Sequence, residues 1–210
     1  MGKAAVAALV LLAGVQRPEP ADAAAVLPAL LFGSEMPGAD RTAGLPQDAK
    51  DALTVYQRRS RAFRPTTPPA PRPDNWESSV RYKRVGVERA LFSLFDRPDS
   101  AALAADYARR ANLAYEWEGF PEVPLGEARF PEAFLAEQPN SPIAGYARLF
   151  AGHRNMCAAN LMSELGGKDP RHPAVRAAAE RHLKAARESG HPLIREVADY
   201  LLRTGRCFPQ

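Results

Sequence analysis

Three groups of residues in this 210-residue chain have the types and spacings that chemistry could use. In Glu116-Trp117-Glu118-Gly119-Phe120-Pro121, two carboxylates flank a tryptophan where a helix should end, with Glu122 and Glu127 close behind. A carboxylate pair beside an aromatic ring suits acid–base work on a glycan or its recognition. Glutamates at a helix C-terminus also oppose the macrodipole, a small cost that invites explanation. The ordinary alternative is an anchoring Trp and Phe surrounded by solvated acids. His153 and Cys157 stand one helical turn apart, where an imidazole could activate a thiol. Both fall in an apolar stripe with Phe150 and Leu161, so a core histidine beside a disulfide or a buried thiol is the reading we favour. His172, His182 and His191 are spaced by ten and nine residues, which fits no compact zinc pattern. There is no haem-attachment motif, zinc-protease motif, nucleophile elbow, phosphate loop or dinucleotide fingerprint. The sequence therefore predicts a non-catalytic protein with no catalytic residue, no metal and no cofactor.

Helices must position these groups. From Asp48 to Arg64, Ala49, Leu53, Tyr56 and Phe63 recur at helical spacing. Residues 65–73, rich in proline, then forbid helix and favour a stiff, extended connector. This connector either divides two parts of the chain or straps across one domain. Asp74 with Glu77 resembles a capping box for a helix burying Trp76, Val80, Val87, Leu91 and Leu94. Asp99 or Ser100 opens another, with Leu103, Tyr107, Ala111 and Ala114 inward, ended by Gly119 and Pro121. A short helix over about Leu125 to Gln138 contains Pro131, which must kink it or mark its first turn. Ser141 as N-cap and Pro142 at the first position open a helix carrying Ile143, Tyr146, Phe150, His153, Cys157 and Leu161. Pro173 and Pro192 open the last two, closed by Gly190 and Gly205. No segment alternates with period two. The expected fold is all-α, built of stacked helix-turn-helix hairpins as a repeat array or an irregular bundle.

The N-terminus carries an address. Lys3 precedes an apolar run from Ala4 to Val15, followed by a polar stretch and Ala21-Asp22-Ala23, the layout of a secretory signal. Twelve helical residues reach only about 18 Å against a hydrocarbon core of roughly 30 Å. The expectation is an exported protein, periplasmic or secreted, with no membrane span after signal removal. No cysteine follows the run to carry a lipid. The expected organisation is a signal peptide over 1–23, an N-terminal helical arm over 24–64, the connector over 65–73 and a helical-repeat domain over 74–210.

In an oxidising compartment, Cys157 and Cys207, the chain's two cysteines, most simply form one disulfide that fastens the C-terminal tail. Two free thiols are the alternative. The net charge is +4, but it is unevenly placed. Lys50 to Arg97 holds 11 basic and 5 acidic residues, net +6, whereas Asp99 to Gln138 holds 3 basic and 8 acidic, net −5. The arginine bias, alongside abundant alanine and proline, makes the basic charge weak evidence for nucleic acid, and export argues against it. The two halves are either solvated faces of opposite sign, or they attract each other or polarise the surface toward a partner.

Glu132-Ala133-Phe134-Leu135 before Pro142-Ile143 is echoed by Glu180-Arg181-His182-Leu183 before Pro192-Leu193, as stacked helical hairpins would give. Phe134-Leu135-Ala136-Glu137-Gln138-Pro139-Asn140-Ser141-Pro142-Ile143-Ala144, with Ala147 and Leu149, resembles the helix-loop-helix junction of tetratricopeptide-like repeats in bacterial envelope proteins, outer-membrane assembly lipoproteins among them. The resemblance covers about 25 residues and implies a protein-binding helical scaffold without catalytic residues. The expected function is an envelope interaction module for an unidentified protein or peptide, with Tyr107, Glu116, Trp117, Glu118, Tyr146 and Arg154 as the candidate binding surface. The alternative is glycan binding or hydrolysis through Glu116 and Glu118.

Overall fold

The segment around His153 and Cys157 is rich in small and apolar residues, and such a helix is readily surrounded by others. In the computed structural model, which describes residues 21–66, 76–114, 116–166 and 168–208, it is the centre of an all-helical body. The helices are α1 (Ala21–Phe32), α2 (Gln47–Ala62), α3 (Trp76–Leu94), α4 (Ser100–Arg110), α5 (Glu122–Glu137), α6 (Ala144–Glu164), α7 (His172–Arg187) and α8 (Pro192–Thr204), with one 3-10 turn at Ala39–Thr42. No strand occurs among the described residues. Most of the expected signal (residues 1–20) and most of the proline-rich connector (67–75) lie outside them. Among the described residues no helix is long and apolar enough to cross a membrane.

Successive helices pack as neighbours from α5 to α8, α3 pairs with α4, and α6 is buried along most of its length. The chain then closes on itself, because α1 packs on α3 and α8, and α2 does likewise. Val26, Leu27, Leu30 and Leu31 of α1 sit in the same core as Leu91, Tyr146, Leu183 and Val197. Residues 24–64, read from the sequence as an arm, thus contribute directly to that core. The expected cleavage point after Ala23 falls in the first turn of α1, where Ala23 is buried.

Three boundaries differ from the sequence reading, each for a local reason. Helix α4 ends at Arg110 instead of running to Gly119, and the extended backbone at Ala111 stops it. Beyond it, side chains take over the work of helix hydrogen bonds: Ala114 N–H donates to Glu127 Oε1 at 2.8 Å, and Lys83 Nζ donates to Ala114 C=O at 2.6 Å. Helix α5 starts at Glu122, where the first turn tolerates Pro124 because its N–H has no intrahelical partner. Pro131 is neither its start nor its end; it lies buried inside the helix. Helix α6 begins at Ala144, with Pro142 and Ile143 in a turn before it. Ser141 closes that turn through its carbonyl, which accepts from Ala144 N–H at 2.9 Å, and its buried hydroxyl caps nothing.

A close backbone approach joins the end of α1 to α3. Gly33, at φ +69°, lies directly on Gly86 in the middle of α3, and a Cβ on Gly86 would stand 2.6 Å from Gly33 Cα. Backbone meets backbone there, so no side chain can yield. Replacing a mid-helix glycine with alanine ordinarily gains about 1 kcal/mol of propensity. Gly86→Ala should instead lower the stability by about 1–3 kcal/mol, the usual cost of overpacking, in urea unfolding.

Candidate functional site

Glu127 belongs to a stripe on α5 with Pro124, Ala128, Pro131 and Phe134, so the helix geometry carries its carboxylate into the core. Arg154 meets it from α6, with Nε donating to Glu127 Oε2 at 2.6 Å. Both side chains are nearly sealed, at 4% and 2% exposed, so neither charge can rely on water. Every polar atom is therefore put to use. Arg154 also donates to Leu31 C=O at the end of α1 (3.3 Å) and to His153 Nδ1 (2.8 Å). Its guanidinium lies over Phe150, Phe32 and Trp117, at 4.1, 4.9 and 5.1 Å from the ring centroids. Desolvated cation–π contacts of this kind help to hold a buried cation.

The arginine also fixes the tautomer of its neighbour. Because it donates to Nδ1, His153 carries its proton on Nε2, and that N–H donates a hydrogen bond to Cys207 C=O at 2.8 Å. Burial first, and the Arg154 charge second, hold the imidazole well below its ordinary pKa, so it is neutral. Cys157 Sγ lies 3.6 and 3.7 Å from the two ring nitrogens, but both are already committed. Burial raises the Cys157 thiol well above its ordinary value. A sealed, protonated thiol beside a committed base is not a nucleophilic pair. Cys157 and Cys207 lie near each other as free thiols, not at bonding distance.

The cavity at this cluster, between Leu31, Lys83, Trp117, Glu127 and Arg154, is about 30 Å³, room for one water. The cluster holds helices together and has no room for a substrate. A larger concavity among the described residues is elsewhere, a groove of about 700 Å³ between α3 and α4. Val80, Val85, Ala105 and Ala108 form its floor, and Arg81, Arg84 and Arg109 stand on its rim.

The expected surface residues separate accordingly. Tyr107, Tyr146 and Arg154 are 2%, 0% and 3% exposed, so they line no groove and this part of the expected surface is corrected. Tyr107 packs edge-on to Phe130, Phe134 and Tyr146, and Tyr146 donates its hydroxyl to Leu30 C=O at 3.0 Å. Trp117 is half-buried against Phe32, His153 and Phe208. Glu116 and Glu118 are exposed, and neither lines the groove or the small cavity. Glu118 and Gly119 adopt φ of 46° and 76°, the two left-handed positions of a tight turn closed by Phe120 N–H on Trp117 C=O.

The remaining histidines go to separate partners. His172 Nε2 meets Ser163 Oγ at 2.9 Å, His182 approaches Glu132 at 3.5 Å, and His191 donates Nε2–H to Leu94 C=O at 3.0 Å. No group of three potential metal ligands occurs among the described residues. Sequence reasoning missed Glu127 as a core residue, although a carboxylate on an apolar stripe was the available signal. It also missed Arg81 and Arg84, which carry no motif. In comparisons with known proteins, no family model, no curated protein and no solved structure matches the chain.

Two expectations follow from the buried charges. Removing one partner, by Arg154→Met or Glu127→Leu, should cost about 3–5 kcal/mol, because the other charge is left sealed and unpaired. The double substitution should cost less than the sum of the two, measured as a double-mutant cycle in urea. For pH, burial also lowers His191, and both imidazoles start from an ordinary value of 6.5. The unfolded chain then binds protons that the folded one refuses, so this stability is fully present above about pH 6.5 and is lost as pH falls. Each imidazole contributes a slope of at most about 1.4 kcal/mol per pH unit. His191→Asn should flatten the fall seen in urea titrations repeated between about pH 7.5 and 5.

Proposed function

We propose that this chain is an exported, non-catalytic interaction module of the bacterial cell envelope, which holds a partner protein or peptide in the groove between α3 and α4. The observation that carries the reading is the groove itself, a broad apolar floor beside Arg81 and Arg84, which make no ion pair with any described residue, whereas Arg109 is paired with Asp106. The α5–α6 pair, where the sequence resembles a tetratricopeptide-like junction, supports the scaffold part of the reading, since its two helices pack together across the 138–143 loop. The signal-like N-terminus supports export. The carboxylates of the glycan alternative are exposed on a turn and line neither the α3–α4 groove nor the small cavity.

In the same reading the tail is stapled after export. The two thiols give up two protons and two electrons to a disulfide-carrying oxidant, forming one Cys157–Cys207 bond. Gly205 C=O is already held by Asn160 at 3.1 Å and by Arg176 at 3.4 Å, so the tail is presented to α6 before any bond forms.

The full chain used as bait in an envelope fraction should retain a stoichiometric partner that Arg81→Glu/Arg84→Glu releases. Glu116→Gln/Glu118→Gln should retain it unchanged. Retention of glycan in place of protein, abolished by the Glu116/Glu118 pair, would replace this reading with the glycan one. Chain recovered from the periplasm should show no free thiol, and reduction should lower its stability by up to about 4 kcal/mol, the chain-entropy value for a loop of about 50 residues.

A further inference from the structure

The groove is specific enough in shape and charge to define what enters it. Its walls run from Val80 to Glu88 on α3 and from Ala102 to Arg109 on α4. At 1.5 Å per residue that is about 11–12 Å along each helix, or about two turns of an incoming one. Alanines 102, 105 and 108 recur every three residues along the α4 wall, so a helix can approach that backbone closely. Val80 and Val85 face them from α3.

The charges separate in the same way. Asp106 is engaged by Arg109 and Arg110, and Glu88, 4% exposed, accepts from the backbone N–H of Thr66 at 3.0 Å. Arg81 and Arg84 lie three residues apart on one face of α3, are exposed, and make no ion pair with any described residue. Two unneutralised cations one turn apart, above an apolar floor, complement a helix that places two carboxylates one turn apart beside an apolar stripe. The chain's own connector, residues 65–73, begins at the groove, where Thr66 is part of the lining, but it carries Arg72 and no acid. Its charge has the wrong sign.

We propose that the α3–α4 groove docks an acidic amphipathic helix of a partner protein, whose carboxylates pair with Arg81 and Arg84 and whose apolar face covers Val80, Val85 and the α4 alanines. The proposal rests on the interaction-module reading and adds the chemistry of the partner.

The test is selection of a random-peptide display library on the full-length protein, with the enriched peptides then synthesised and their affinity measured by fluorescence anisotropy. The expected peptides carry two acids three or four residues apart and apolar residues on the same helical stripe. Arg81→Glu/Arg84→Glu should weaken them by about tenfold or more, and so should raised salt. Exchanging the peptide's two acids for lysine should restore binding to that variant. Arg81→Gln/Arg84→Gln, which introduces no charge beside Glu88, serves as the second variant and should lose affinity with an unchanged unfolding midpoint. Enriched peptides that bind both variants as well as the parent would overturn the groove assignment and leave the interaction module standing. Basic, proline-rich peptides resembling residues 65–73 would overturn the acidic occupant. No enrichment would overturn both the proposal and the reading beneath it.

Discussion

The Glu127–Arg154 pair is the constraint on which the rest of the arrangement depends. A sealed arginine has five N–H groups to satisfy, and here its donors reach α5, the end of α1 and the His153 ring. Its partner Glu127 has a second oxygen, which takes the Ala114 N–H that the early end of α4 left without a helix bond. One ion pair thereby fixes the relative positions of α1, α5, α6 and the segment after α4. A hydrophobic contact between the same elements would bury as much surface but would tolerate rotation and sliding. The ion pair does not, because each hydrogen bond has a direction.

The same pair explains why the C-terminal tail lies where it does. Arg154 sets the tautomer of His153, and His153 then presents a donor to the Cys207 carbonyl. Phe208 follows onto Phe32 and Trp117. The last residues of the described chain are thus held by the first helix and by the loop after α4, which are far away in sequence. Among the described helices, α1 and α8 thus pack against each other as well as against their sequence neighbours.

Polar chemistry in this protein divides between interior and surface. The interior cluster is dense in titratable groups, yet each nitrogen of Arg154 and each oxygen of Glu127 has a protein partner and the space left is that of one water. Groups so fully satisfied have nothing to offer a substrate. The α3–α4 groove is the reverse. Two of its arginines, Arg81 and Arg84, make no ion pair with a described residue, and its floor is apolar, which leaves free energy to be gained when something binds.

The sequence by itself determined the all-helical character, because apolar residues recurred at helical spacing and proline and glycine marked the breaks. It also identified most inward positions, including Leu53, Val87, Leu91, Leu183 and Val197, since local periodicity needs no knowledge of the partner helix. Tyr107 and Tyr146 already stood on inward stripes in the pattern, which argued against placing them on a binding surface; where Arg154 would point was not legible, because α6 is buried on nearly every face and its pattern has no preferred one. The end of α4 was misread for a related reason: the groups that replaced its hydrogen bonds, Glu127 and Lys83, are respectively 13 and 31 residues away from Ala114. Only the tertiary structure decided that Glu127 and Arg154 meet, that α1 closes on α8, and that Arg81 and Arg84 overlook a groove. Burial and charge pairing depend on what packs against a residue, and in this chain the packing partners come from distant segments.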